Sequence, residues 1–317
     1  MVKIAVLDDY QRVARSFADW SRIEKANQIV VFDAPFKDEA DVAASLADFE
    51  VLCVLRERTR FARSVIDKLP RLKMVASTAM RNAALDMKAL ADRGIVVCGT
   101  GGGTAATPEL TIGLMLAVAR SIPLEDGNVR AGRWQSTVGM EMHGKTLGLL
   151  GLGRLGGAVA KVGAALGMNL IAWSQNLTAE RAAEIGAKRV GKDELFQQSD
   201  VLSIHLVLSD RTKGLVGARE LTQMKRTAIL INTSRGPIVD EDALVKALQG
   251  GWLRGAGLDV YGTEPLPADH PIRTCPRTVL TPHLGYVSEE TYRIFYGDTV
   301  DNIEAWLAGA PKRIMTA

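Results

Sequence analysis

Short apolar runs alternate with segments of helical periodicity along the whole of this 317-residue chain. Each run is apolar almost throughout, which is typical of parallel strands that helices cover on both faces. Strand and helix in alternation predict an α/β fold built on doubly wound parallel sheets. The predicted strands are 2–8, 29–34, 51–55, 72–78 and 95–100 in a first series, and 146–151, 169–174, 201–207, 228–234, 255–260 and 278–283 in a second.

The segment "GGGTAATPELTIGLMLAVARSI", residues 101–122, separates the two series. Its glycines suit a hinge, and the apolar stretch after Pro108 predicts a buried helix. A further helical segment, 288–309, is long enough to pack back onto the first series. The boundaries therefore predict one discontinuous domain, 1–101 with 285–317, and a second domain, 102–284.

Charge and composition exclude several classes of protein. The net charge is only +3, from 39 basic and 36 acidic residues that are scattered along the chain, so no nucleic-acid or anionic membrane partner is expected. The chain contains no long apolar run that predicts a membrane span, and its first residues lack the features of a signal peptide. The three cysteines, Cys53, Cys98 and Cys275, are too widely spaced for a zinc site or a disulfide framework, so we expect a metal-free cytoplasmic protein.

A glycine motif follows the first strand of the second series, in "GLLGLGRLGGAVA". Gly151, Gly153 and Gly156 have the G-x-G-x-x-G spacing, in which the glycines allow a tight turn, close approach of a pyrophosphate and close packing of a helix. Arg154 and Leu155 lie inside the motif and open the following helix, whose free N–H groups favour phosphate. A turn without ligand is the alternative, but the strand–turn–helix–strand context favours a dinucleotide site.

The next strand ends on Ser174, Gln175 and Asn176, where an acid that binds the ribose of NAD is usual. These neutral side chains would not repel the extra phosphate of NADP. No cation follows directly, since the nearest in sequence are Arg154 and Arg181. The choice between NAD and NADP stays open at this point.

Three residues in the last third of the chain suit hydride transfer to a carbonyl, each at or near the end of a predicted strand. Arg235 in "INTSRGPIVD" can hold a carboxylate bidentately, although a structural salt bridge is the alternative. His283 in "VLTPHLG" can act as acid and base near neutral pH, although a lone histidine is more often structural. Glu264 in "LDVYGTEPLP" can pair with the imidazole, or simply face solvent.

Together, and in this order, these motifs resemble the D-isomer-specific 2-hydroxyacid dehydrogenases over nearly the whole chain. The resemblance rests on "GLLGLGRLGGAVA", "SDVLSIHLVLSDRTKGLV", "INTSRGPIVDEDALVKAL", "GLDVYGTEPLP" and "LTPHLG". It implies that Arg235 binds the substrate carboxylate, that His283 is the acid/base and that Glu264 pairs with His283. It also implies a flavodoxin-like substrate domain, a Rossmann NAD(P)-binding domain and a homodimer. The further residues that it places around the cofactor are His205, Thr233, Ser234, Asp259 and Gly285.

The loop "STAMRNAALD", residues 77–86, departs from the family pattern because it contains no glycine. Its backbone is expected to hold the substrate carboxylate through the N–H groups of Ala79, Met80 and Arg81, with the Arg81 side chain as an added contact. The leading hypothesis is an enzyme that reduces a small 2-oxoacid or oxidises its D-2-hydroxy acid. The alternatives are a formate dehydrogenase, which pairs its histidine with Gln where this chain has Glu264, and a non-catalytic NAD(H)-sensing protein that resembles the co-repressors of this fold.

Overall fold

The chain divides into two units in this computed structural model, which describes residues 1–316. Unit 1 is Met1–Gly103 together with the chain from Val287 onward, and unit 2 is Thr104–Tyr286. Each unit is built around a parallel sheet. Over the described residues, no helix combines the length and the apolar character needed to cross a membrane.

Unit 1 contains a five-stranded parallel sheet in the order β2-β1-β3-β4-β5. This order is that of flavodoxin-like folds, in which the strand order reverses beside the first strand. The strands are β1 (Lys3–Val6), β2 (Gln28–Val31), β3 (Val51–Val54), β4 (Met74–Ser77) and β5 (Val96–Cys98), and the first four helices are α1 (Ser21–Glu24), α2 (Glu39–Leu46), α3 (Arg63–Ile66) and α4 (Met87–Asp92). Strands β3 and β4 are buried along their whole length, as continuous apolar runs require.

Unit 2 contains a seven-stranded parallel sheet in the order β12-β11-β10-β9-β6-β7-β8. Its strands are β6 (Thr146–Leu150), β7 (Asn169–Trp173), β8 (Lys188–Arg189), β9 (Val201–Ile204), β10 (Ile229–Asn232), β11 (Gly255–Leu258) and β12 (Thr278–Leu280). Its helices are α5 (Ala106–Ala119), α6 (Ile122–Arg130), α7 (Arg154–Ala165), α8 (Ala179–Ala183), α9 (Lys192–Gln198), α10 (Ala218–Gln223) and α11 (Glu241–Gln249). The order reverses between β6 and β9, and such a reversal opens a crevice at the carboxyl ends of the strands.

The segment predicted as a hinge and a buried helix, 101–122, contains helix α5, and a separate helix, α6, begins at its last residue. Helix α5 ends at Ala119 because Ser121 takes a left-handed conformation, with φ 53°, and α6 then begins at Ile122 with Pro123 in its first turn. Helix α11 begins at Glu241 because the Asp240 carboxylate accepts a hydrogen bond from the Ala243 N–H at 3.0 Å.

The last helix, α12 (Glu289–Leu307), belongs to unit 1. Ser288 caps its N-terminus by accepting from the Thr291 N–H. The Asn302 side chain donates to the Gly99 carbonyl at 2.7 Å, and Asp298 accepts from the Gly101 N–H at 2.8 Å. These two hydrogen bonds, the first of them buried, tie the last helix to the loop after β5.

Candidate active site and dinucleotide site

The turn between β6 and α7 leaves no room for side chains at two of its glycines. Gly151 has φ 103°, and a Cβ there would lie 2.8 Å from the His205 carbonyl oxygen. A Cβ on Gly156 would lie 2.2 Å from the Gly151 carbonyl oxygen. Both positions therefore require glycine because backbone atoms pack against them.

Gly153 differs, because a Cβ at this position would meet no protein atom within 4 Å. It is the N-cap of α7 and offers no side chain to the first helical turn, so the N–H groups there point into open space. Arg154 is exposed and Leu155 is half-buried in that first turn. This cradle of free N–H groups at the positive end of a helix fits the pyrophosphate of a dinucleotide.

A cavity of about 380 Å³ lies beyond the end of β7. Its lining residues come from the ends of β7 and β9 and from the loop after β9: Trp173, Ser174, Gln175, Asn176, Leu206, Val207, Ser209, Arg211, Thr212 and Leu215. Arg154 and Arg181 are not among them, and Arg181 pairs with Glu184. Arg211 was not predicted as a site residue, because it lies in a different loop from Ser174. Its position in the loop after β9, the strand that pairs with β6 on the side opposite β7, is the signal that could have indicated it.

The residues predicted to line the cofactor cleft lie at the carboxyl ends of β9 and β10. His205 packs its Cβ and carbonyl against the glycine turn, and its Nε2 lies 2.9 Å from the Ser203 hydroxyl. Burial lowers the pKa of His205 to about 4, so its imidazole is neutral at pH 7. The Thr233 hydroxyl lies 2.7 Å from that of Thr111, and the Ser234 hydroxyl donates to the Leu206 carbonyl.

His283 and Glu264 form a hydrogen-bonded pair at the same edge of the sheet. The His283 Nδ1 lies 2.6 Å from Glu264 Oε2, while Oε1 of Glu264 accepts from the Tyr261 N–H at 2.9 Å. The two side chains are 14% and 25% exposed, so the pair is partly screened from water and still accessible. Nδ1 is engaged with the carboxylate, which assigns the role toward a substrate to Nε2.

Asp259 holds the backbone that follows His283 and the Thr281 side chain that precedes it. It is fully buried and accepts from the Leu284 N–H at 2.7 Å, the Gly285 N–H at 2.8 Å and the Thr281 hydroxyl at 2.5 Å. Desolvation raises the pKa of Asp259, while these hydrogen bonds and the nearby imidazole oppose that rise. His283 itself has φ 56°, an unfavourable conformation for a residue with a Cβ, and the Asp259 hydrogen bonds stabilise it. Asp259 is thus placed to position His283, with its carboxylate turned away from solvent.

Arg235 lies directly after β10 and starts a short 3-10 helix. Its Nη1 donates to the Ser234 carbonyl at 2.7 Å, and its own carbonyl accepts from the Asn232 side chain at 3.1 Å. A Cβ on the next residue, Gly236, would lie 2.0 Å from the carbonyl carbon of Tyr261. That close approach packs the Arg235 loop against the loop that carries Glu264.

The predicted substrate loop in unit 1 needs one correction. Ala79 has φ 66°, the left-handed conformation that a glycine would adopt without cost, and its N–H donates to the Thr100 hydroxyl at 2.8 Å. The expectation that the Ala79 N–H is free for a substrate is therefore wrong. Met80 and Arg81 are exposed, and the buried Asn82 braces the loop by donating to the Arg56 carbonyl at 2.7 Å.

Comparisons with known proteins agree on one family. Residues 112–285 match the family model described as D-isomer specific 2-hydroxyacid dehydrogenase, NAD binding domain. The chain is 41% identical to a glyoxylate reductase of Aeropyrum pernix over 77% of this chain and 76% of that protein, and 31% identical to a hydroxypyruvate reductase of Blautia hydrogenotrophica over 99% of each. The crystal structure of a putative D-3-phosphoglycerate dehydrogenase from Ralstonia solanacearum superimposes with a TM-score of 0.93 at 37% identity, over 99% of this chain and 96% of that one.

Proposed function

This chain belongs to the D-isomer-specific 2-hydroxyacid dehydrogenase family and is an NAD(P)-dependent oxidoreductase of 2-hydroxy acids, and from this premise we propose which residues carry its reaction. The catalytic residues are Arg235, Glu264 and His283, and the substrate is a small 2-oxoacid or its D-2-hydroxy acid. The observation that carries this proposal is the 2.6 Å hydrogen bond between His283 and Glu264 at the carboxyl edge of the unit 2 sheet.

Arg235 pairs with the substrate carboxylate and directs the neighbouring carbonyl oxygen toward His283. A nicotinamide held in unit 2 would supply the hydride for the carbonyl carbon. His283 donates the Nε2 proton to the carbonyl oxygen, so the 2-oxoacid becomes a 2-hydroxy acid and the imidazole becomes neutral. Glu264 keeps the Nδ1–H oriented and stabilises the charged imidazolium before transfer. In the opposite direction the neutral Nε2 accepts the hydroxyl proton.

We assign dinucleotide binding to unit 2, which also carries Arg235, Glu264 and His283. The cradle of Gly151, Gly153 and Gly156, with the N–H groups of Arg154 and Leu155, would hold the pyrophosphate. The backbone at His205, Thr233, Ser234 and Gly285 would line the path from that cradle to His283. In unit 1, the N–H groups of Met80 and Arg81 are the donors proposed for the substrate carboxylate.

We also propose that the enzyme is a homodimer. An apolar strip on α6 and the loop after it is solvent-exposed in the single chain: Ile122, Leu124, Val129, Trp134 and Val138 are 51%, 54%, 56%, 78% and 89% exposed. Exposed apolar side chains concentrated in one segment mark an interaction site, and a second copy of unit 2 is the occupant that we assign to it. The three free, buried cysteines suit a reducing compartment, and we place the enzyme in the cytoplasm.

The alternatives are less well supported. A formate dehydrogenase of this family has Gln where this chain has Glu264, whose carboxylate bonds to His283. The named relatives reported above are also reductases and dehydrogenases.

The test is turnover with a panel of 2-oxoacids: glyoxylate, hydroxypyruvate, pyruvate and larger analogues, each with NADH and with NADPH. We expect oxidation of a reduced cofactor with at least one of them. The Arg235→Ala variant should mainly raise KM, whereas His283→Ala should lower kcat by roughly 100- to 10,000-fold, the usual contribution of a general acid. Absence of turnover with every pair, or wild-type rates in both variants, would refute the assignment.

A further inference from the structure

The cavity beyond β7 contains one charged lining residue, Arg211. Among the residues that line it, all within the described part of the chain, none is Asp or Glu. Its walls combine apolar side chains, including Leu206 and Leu215, with the neutral donors of Ser174, Gln175 and Asn176. The cavity is therefore electropositive at the point where a bound dinucleotide would place its adenosine ribose.

Hydrogen bonds order the loop that presents Arg211. The Thr212 hydroxyl donates to the Val207 carbonyl at 2.7 Å and accepts from the Ser209 N–H at 2.8 Å. The Lys213 N–H donates to the Ser209 carbonyl at 2.9 Å, which closes a turn across Arg211. Because this turn is fixed by its own hydrogen bonds, the arginine backbone is held at the cavity before a ligand arrives.

Other cations near this end of the sheet are engaged elsewhere or lie outside the cavity. Arg181 pairs with Glu184, and the Arg189 Nε donates to the Leu177 carbonyl at 2.7 Å. Lys213 follows Arg211 by two positions but does not line the cavity. Over residues 1–316, the Arg211 guanidinium forms no ion pair that would compete with an anion.

We propose that this enzyme binds NADP(H) in preference to NAD(H), and that Arg211 is the residue that selects the adenosine 2′-phosphate. This inference rests on the proposed function, because it concerns the cofactor of the same site. A guanidinium can bind a phosphate bidentately, and the hydroxyl of Ser174 and the amides of Gln175 and Asn176 can donate to the remaining oxygens. A carboxylate at the end of β7 would repel that phosphate, and Ser174 stands in its place.

The test compares two fragments of the cofactor by isothermal titration calorimetry: adenosine 2′,5′-bisphosphate and adenosine 5′-monophosphate. The two ligands differ only in the 2′-phosphate, and their binding requires neither substrate nor catalysis. We expect the wild-type enzyme to bind the bisphosphate roughly 10- to 100-fold more tightly, the range that hydrogen bonds to charged groups supply. The Arg211→Ala variant should lose that preference and keep its affinity for the monophosphate within about 2-fold.

Lys213→Ala is the matched control, because it removes one positive charge from the same turn outside the cavity. It should change both affinities by less than about 2-fold. If Lys213→Ala lost the preference for the bisphosphate as fully as Arg211→Ala, the preference would come from the general positive charge of the turn, and the proposal would be overturned. A second variant, Ser174→Asp, should reverse the preference by returning a carboxylate to the end of β7.

Equal affinity of the wild-type enzyme for the two fragments would overturn the NADP(H) inference and leave the dehydrogenase assignment standing. If neither fragment bound at millimolar concentration, the dinucleotide site itself would be refuted. The two failures are therefore distinguishable.

Discussion

Replacing two glycines of the same motif by alanine should separate folding from cofactor binding. In the Gly156→Ala variant the new Cβ would lie 2.2 Å from the Gly151 carbonyl oxygen, so strand and helix must move apart by about 1 Å. Overpacking of this kind costs roughly 1–3 kcal/mol, and the better helix propensity of alanine offsets at most about 1 kcal/mol of it. For a domain of this size we expect a fall in Tm of about 2–8 °C.

In the Gly153→Ala variant the new methyl group would meet no protein atom within 4 Å. The backbone conformation, with φ −82°, is accessible to alanine, so the cost is only that of a poorer N-cap, about 0.5–1 kcal/mol at most. The methyl group would instead occupy the space in front of the first turn of α7, where the pyrophosphate is proposed to lie. We therefore expect a Tm within about 4 °C of wild type and a loss of cofactor affinity of roughly 10-fold or more.

The assays are thermal unfolding without cofactor, followed by circular dichroism, and titration with NADPH and NADH, followed by fluorescence. Gly191→Ala is a suitable control, because Gly191 is also a helix N-cap with open space around its Cβ and lies outside the glycine motif. If Gly153→Ala melts as low as Gly156→Ala, the space in front of α7 is not free. If it binds the cofactor like wild type, that space is not the pyrophosphate site.

Three further predictions concern Glu264, His205 and the exposed apolar strip on α6 and the loop after it. Glu264→Gln keeps a hydrogen-bonding side chain beside His283 and removes the charge, so kcat should fall by at least about 10-fold with less change in KM. Unchanged steady-state kinetics would contradict the proposed role of the Glu264–His283 pair. The pKa of His205 is lowered from 6.5 to about 4, so between these pH values the histidine is protonated in the unfolded chain and neutral in the folded one. The free energy of unfolding should therefore fall by up to about 3 kcal/mol as the pH falls from 6.5 to 4. His205→Gln should remove that part of the pH dependence in urea unfolding, and an unchanged slope would show that His205 is not its source. A variant with Glu at both Trp134 and Val138 should be monomeric in sedimentation velocity. A control variant with Glu at the exposed Ile294, outside the apolar strip, should remain dimeric. If both variants were dimeric, this strip would be excluded as the interface.

The amino-acid sequence determined the local elements because these depend on neighbouring residues. Each predicted strand overlaps an observed strand, since a continuous apolar run must be covered on both faces. The predicted strands extend beyond the C-terminal ends of the observed ones. The run 201–207, for example, is a strand only to Ile204, because the chain then turns along the edge of the sheet, where His205 and Leu206 contact other loops. The break at Ser121 also escaped prediction, because a left-handed residue between two helices has no strong local signal when it is not glycine.

Packing decided which face of α7 is buried. The helical periodicity of the sequence predicts an apolar face formed by Leu155, Val159, Val162 and Leu166. In the structure Val162 is 40% exposed, and the small residues Gly156, Ala160 and Gly163 are buried with Val159. A Cβ at Gly163 would lie 2.6 Å from the Leu147 side chain. The helix therefore lies so close to β6 that small residues, rather than large ones, form the interface.

The identity of the candidate site followed from the sequence, but its completion required the tertiary structure. Motif order alone predicted Arg235, Glu264 and His283, because each lies near a strand end and parallel strands bring those ends to one edge. The occupied N–H of Ala79 depends on the Thr100 hydroxyl from another loop, and local sequence does not encode that contact. Arg211 reaches the cavity of Ser174 for the same reason: the order β9-β6-β7 places loops from both sides of β6 together, and strand order is set by the packing of the whole sheet.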